Sequence, residues 1–83
     1  MSGPLHILLV EDHDVMRRAL HAILPDDGFR MVAEAGSVGV ARALAPRTDY
    51  DVALVDLGLP DGRGVAGLLE GVTGQRVERL GPL

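Results

Sequence analysis

Cysteine is absent from the 83 residues, so neither a disulfide framework nor a thiolate metal site can be built. Lysine is absent too, and all eight basic residues are arginines. Phe29 and Tyr50 are the only aromatics, which predicts an aliphatic core. No apolar run, Ile7 to Val10 included, is long enough to span a bilayer. The N-terminus has no basic region ahead of an apolar stretch, so no signal peptide is expected and a soluble cytoplasmic protein is. A formal charge of −4, without clustered basic residues, argues against a nucleic-acid surface. What is present is a 47% hydrophobic chain, the content of a globular protein and not of a disordered one. Its length permits one domain, which buries only roughly 60% of its unfolded surface.

Two kinds of segment alternate along the chain. Leu5 to Val10 is apolar except for His6 and stops at Glu11-Asp12. Runs of that length suit a strand buried on both faces. Asp14 to Leu24 has helical spacing, with Met16, Leu20, Ile23 and Leu24 on one side and Arg17, Arg18 and His21 on the other. Asp12 or Asp14 is placed to cap its start, and Pro25-Asp26-Asp27-Gly28 ends it. Phe29 to Ala33 reads as a second strand. Ser37 is placed to cap a second helix running to about Ala45, with Val38, Ala41, Leu44 and Ala45 inward and Pro46 closing it. Asp51 to Leu57 is a third strand. Gly58 to Gly64 reads as a loop by its glycine and proline content. Val65, Leu68, Leu69 and Val72 then recur at the spacing of an amphipathic helix.

That order is βαβαβα, with crossovers long enough to hold helices, so parallel strands with right-handed connections are expected. Residues 74–83 contain no apolar run that reads as a fourth strand. The expected organisation is therefore a domain over residues 1–73 followed by an atypical tail over 74–83.

In an open parallel α/β sheet, sites form at the carboxyl ends of the strands. Glu11 and Asp12 end the first strand and Asp56 ends the third. If those strands are neighbours, three carboxylates converge on one small volume. Like charges so close are costly unless a cation neutralises them. Hard oxygen donors favour Mg2+, held by one or two carboxylates with water completing the octahedron. Such a pocket supports attack by one carboxylate on a phosphoryl group. A single acid at a strand end is better explained as a helix cap. Three acids at matching strand ends are not.

Ile7-Leu8-Leu9-Val10-Glu11-Asp12-His13-Asp14 resembles the first strand and acidic pair of the response-regulator receiver domains of bacterial two-component systems. Asp51 to Gly64 resembles their third strand, phospho-acceptor and following Pro-Asp-Gly loop. Val15-Met16-Arg17-Arg18-Ala19-Leu20 resembles the branch typically fused to helix-turn-helix output domains. The resemblance implies a three-layer, flavodoxin-like α/β fold with a parallel sheet of strand order 2-1-3, truncated after the third strand and helix. It implies a phosphorelay module that is not an enzyme, in which Asp56 accepts a phosphoryl group from a histidine kinase. Glu11, Asp12, Asp56 and the Gly58 backbone carbonyl would hold Mg2+, and Pro60, Asp61, Gly62 and Gly64 would shape the loop beside the site.

The resemblance also has gaps. Receiver domains normally have five strands, with a Ser or Thr ending the fourth and a Lys ending the fifth. This chain has no Lys, and Thr73 has no strand before it. A bare edge on the third strand predicts self-association through that edge. The alternative function is a non-signalling remnant that acts only as an interaction or decoy module.

Three other motifs carry less. Gly62-Arg63-Gly64-Val65-Ala66-Gly67 matches a dinucleotide fingerprint, but Gly58-Leu59-Pro60-Asp61 separates it from the strand. Asp12-His13-Asp14 is similar to the paired aspartates of haloacid-dehalogenase-type phosphatases, but the chain is too short for that fold's remaining acids. His13 sits in a loop beside the acids and is expected to be a solvated side chain. With His6 and His21 elsewhere, a histidine metal cluster is not expected.

Overall fold

The computed structural model describes residues 3–24, 27–56, 64, 67, 69–71 and 76–80. Its first strand, β1 (Leu5–Val10), has Ile7, Leu8, Leu9 and Val10 all at or below 1% exposure. An apolar run without alternation is what a central strand covered on both faces needs. β2 (Phe29–Ala35) and β3 (Val52–Asp56) lie parallel on either side of it. The register is held at the entry to β3 by reciprocal bonds. The His6 amide donates to Asp51 Oδ2 at 2.8 Å, and the Asp51 amide donates to the His6 carbonyl at 2.8 Å. On the other side, a shift between Ile7 and Leu8 sets Ile7 opposite Met31 and Leu8 opposite Ala33.

The order 2-1-3 stands as expected, but the sheet does not stop there. A fourth strand, β4 (Arg76–Leu80), pairs parallel with β3 along its whole length, giving the order β2-β1-β3-β4. Residues 76–80 are thus a strand and not an irregular tail, and the edge of β3 expected to be bare is paired. Arg76, Glu78 and Arg79 are exposed and Val77 is buried. An outer strand carries charge that an inner strand cannot, so no apolar run announces it. Arg76 pairs with Glu78 at 2.6 Å, and Arg79 pairs with Glu70 at 2.5 Å.

The helix α1 (Asp14–Ile23) begins after His13, which caps without a side-chain hydrogen bond, so neither Asp12 nor Asp14 serves as the expected cap. None of its residues is buried. Met16 and Leu20 are half-buried as expected, but Ile23 is 71% exposed. Periodicity identifies which residues share a face, but whether another element covers that face is decided elsewhere in the fold. The helix α2 (Val38–Leu44) follows the sequence more closely. Ser37 Oγ accepts from the Val40 amide at 3.3 Å, and the Ser37 carbonyl accepts from Ala41. A 3-10 turn over Ala45–Arg47, with Pro46 inside it, ends this element.

The core gathers Leu8, Val10, Ala35, Ala41, Ala45, Ala53, Val55, Leu69 and Val77, with Val38 and Leu44 packed against it. The aliphatic expectation is amended at one position. Tyr50, 1% exposed, is among the largest fully buried side chains. Gly64, expected in a loop, is helical, as are Gly67, Leu69, Glu70 and Gly71. The expected inward positions Val65, Leu68 and Val72, and Thr73, lie outside the described residues.

Candidate functional site

Parallel pairing puts the carboxyl ends of β1 and β3 side by side, with Val10 opposite Val55. The next residue on each strand carries an acid. Glu11 and Asp56 are 2% and 8% exposed, so two carboxyls are buried at one end of the sheet. Glu11 is fixed there by its own backbone, because its amide donates to the Ala35 carbonyl at 2.9 Å. Asp12 follows just beyond the strand, its side chain 38% exposed.

Glu11, Asp12, His13 and Asp56 each offer one ligand atom, and these atoms all lie within 4.8 Å of one another. Three of the four residues are those singled out from the strand ends. The fourth, His13, was expected to be solvated. Its ring is 70% exposed, yet Nδ1 stands 3.0 Å from Asp12 Oδ1 and 3.3 Å from Glu11 Oε2. Its amide also donates to Glu11 Oε2 at 3.4 Å. The signal was available in the sequence, since a residue directly after two converging acids has little room to leave them. Gly58, Pro60, Asp61 and Gly62 lie outside the described residues.

The side chain of Arg17 is less solvated than its place on the helix predicts. Arg17 was expected to face outward, but its side chain is 25% exposed and Nη1 donates to the Glu11 carbonyl at 2.6 Å. Its Nη2 pairs with Asp14, and Nε stands 4.0 Å from Glu34 Oε1. The other Glu34 oxygen lies 2.9 Å from His21 Nε2.

The electrostatics follow from this crowding. Burial raises the Glu11 carboxyl above its ordinary value, and the hydrogen bond with Asp56 raises it further, while His13 opposes both. The neighbouring Glu11 and Asp12 carboxylates raise the His13 imidazole, the hydrogen bond to Glu11 first. Both groups hold protons more tightly in the fold than in the unfolded chain. Their stabilising contributions are therefore complete below the unfolded values, 4.5 for Glu11 and 6.5 for His13, and are lost as pH rises through the raised folded values. The cation-free protein is expected to melt at a lower temperature at pH 8 than at pH 5. Circular dichroism melts in EDTA across that range test this, and a melting temperature that climbs with pH would contradict it.

The donor set suits a hard divalent cation. It offers carboxylate oxygens from three residues, two of them too buried to be solvated by bulk water. Such a cation would offset the burial and the closeness of Asp56 that together raise Glu11.

The family model for the response regulator receiver domain matches residues 7–71. The DNA-binding transcriptional activator DevR/DosR of Mycobacterium tuberculosis is 47% identical over 60 residues, which cover 71% of this chain and 28% of that protein. The nitrate/nitrite response regulator protein NarP of Escherichia coli is 41% identical over 68 residues, covering 81% of this chain and 30% of that protein. Among solved structures, a LuxR-family two-component response regulator from Aurantimonas superposes with a TM-score of 0.81 at 28% identity. That match covers 94% of this chain and 59% of the other. The chain thus spans less than a third of the length of the two curated relatives.

Proposed function

The chain belongs to the response-regulator receiver domain family, and from that premise we propose that Asp56 accepts a phosphoryl group while Glu11, Asp12 and Asp56 hold Mg2+. The observation that carries the reading is the convergence of these carboxylates within 4.8 Å at one end of the parallel sheet. The Gly58 carbonyl joins the ligands, and Pro60, Asp61, Gly62 and Gly64 border the site in this proposal. The phosphoryl donor is a histidine kinase, and the setting is the cytoplasm. No helix among the described residues is long and apolar enough to cross a membrane.

Bound Mg2+ would offset the negative charge that accumulates on the transferring phosphoryl oxygens. The chain's own residues do the rest. Asp56 sits at the end of a strand paired on both sides, so its carboxylate is held in one place with little freedom to lose. An Asp56 oxygen forms the new bond to phosphorus as the bond from phosphorus to the donor imidazole nitrogen breaks. The departing nitrogen keeps the electron pair and is protonated. Glu11, buried beside Asp56, places a second carboxylate of the pocket away from bulk water. The protein is an acceptor and does not turn over a substrate. Self-association through a sheet edge belongs to the outer edge of β4, whose Arg76, Glu78 and Arg79 weaken it by exposing charge.

Intact mass after incubation with acetyl phosphate and Mg2+ tests the proposal. A phosphoryl increment is expected for the wild-type chain, and none is expected with EDTA or in Asp56→Asn. An increment that survives in Asp56→Asn places the acceptor elsewhere. No increment on a chain that circular dichroism shows to be folded leaves a binding module in place of an acceptor.

A further inference from the structure

The guanidinium of Arg17 joins three segments that meet at the acidic pocket. It donates to the Glu11 carbonyl at the end of β1, pairs with Asp14 in the first turn of α1, and approaches Glu34 near the end of β2. It also lies against the loop that leaves β2, where a Cβ on Gly36 would stand 3.3 Å from Arg17 Nη1. The contact with Glu11 has a specific consequence. The Glu11 amide is already bonded to the Ala35 carbonyl, so Arg17 completes the pairing of both backbone polar groups of that residue. The Ala35 bond holds the peptide plane before Glu11, and the Arg17 bond holds the plane between Glu11 and Asp12. Asp12 lies past the last strand residue, and the direction of its carboxylate follows from that plane.

We propose that Arg17 is a positioning residue for the pocket, holding the end of β1 so that Glu11 and Asp12 converge with Asp56. The proposal rests on the divalent-cation reading above and adds to it a residue that touches neither the cation nor the phosphoryl group. Geometry and charge make opposite demands here. A cation beside an acidic pocket repels another cation, so loss of the Arg17 charge by itself would tighten Mg2+ binding. Loss of the carbonyl contact would loosen it, because one ligand is then free to turn away.

Mg2+ titration calorimetry on the full 83-residue chain separates these effects. Arg17→Gln is expected to weaken Mg2+ binding by roughly tenfold, the lower end of the range for residues that orient ligands. Arg17→Lys, which can still donate to the carbonyl, is expected to recover part of that loss. Tighter binding by Arg17→Gln overturns the proposal. So does unchanged binding with a lower melting temperature, which would make Arg17 only a staple for α1. NMR order parameters at Asp12 and His13 in the cation-free protein give a readout that needs no Mg2+. They are expected to fall in Arg17→Gln while β1 stays rigid, and unchanged values overturn the proposal. If the wild-type chain itself takes no Mg2+, the cation reading fails separately, and the NMR comparison still decides whether Arg17 orders this segment.

Discussion

Glu11→Gln is expected to stabilise the cation-free protein and, in the same molecule, to weaken Mg2+ binding by about 100-fold. The two effects share one cause. Glu11 is 2% exposed and hydrogen-bonded to Asp56, so its charge is both desolvated and repelled. An amide of the same shape removes the buried charge and can donate to the Asp56 carboxylate. A gain of about 1 kcal/mol is reasonable for replacing that arrangement with a satisfied hydrogen bond from an uncharged donor. The loss on the cation side is larger. Two unit charges 4 Å apart attract by about 4 kcal/mol at an effective dielectric of 20. Losing about 3 kcal/mol of that attraction corresponds to the 100-fold fall. Melting curves in EDTA and Mg2+ calorimetry measure both sides. A variant less stable than wild type in EDTA, with unaltered Mg2+ affinity, would mean that Glu11 is a structural acid and not a ligand.

This trade also explains why the site was readable before the fold. An acid can be buried at a strand end only if something compensates, so Glu11, Asp12 and Asp56 stood out against apolar runs that otherwise tolerate no charge. The length of the crossovers gave parallel strands, and the pairing of β1 with β3 came only with the flavodoxin-like strand order that the resemblance implies. Arg17 was less legible. Helical spacing set it opposite Met16 and Leu20, and a long side chain can reach back past its own face toward the preceding strand. His13 is solvated beside the acids as expected, and its exposed ring still holds a nitrogen against a carboxylate. The α1 face shows the converse error. Its apolar residues are spaced for burial, but no element among the described residues covers Ile23, and no local pattern encodes that.

The strand β4 was hidden for a different reason, and its removal is the second large effect expected. Arg-Val-Glu-Arg-Leu is three-fifths charged, breaks strict alternation at Glu78-Arg79, and gives the core one buried side chain that the structure describes, Val77 at 7% exposure. Local sequence therefore says little, while the pairing of Val52–Asp56 with Arg76–Leu80 says a great deal. Val77→Asp sets an unpartnered carboxylate among Ala53, Val55 and Leu69 in the same core cluster. The expected cost is about 3 kcal/mol or more, in a domain whose whole stability is on the order of 5 kcal/mol. Detaching β4 returns β3 to the state of an unpaired apolar edge, so aggregation is expected together with the fall in stability. It also frees one side of the strand that ends in Asp56, coupling loss of the edge to loss of the acceptor's placement. Urea unfolding followed by circular dichroism, with light scattering on the same samples, measures this. Glu78→Ala on the exposed face serves as the control and is expected to change stability by no more than about 0.5 kcal/mol. If Val77→Asp stays monomeric and unfolds at the wild-type midpoint, β4 contributes nothing to the fold and the working sheet ends at β3.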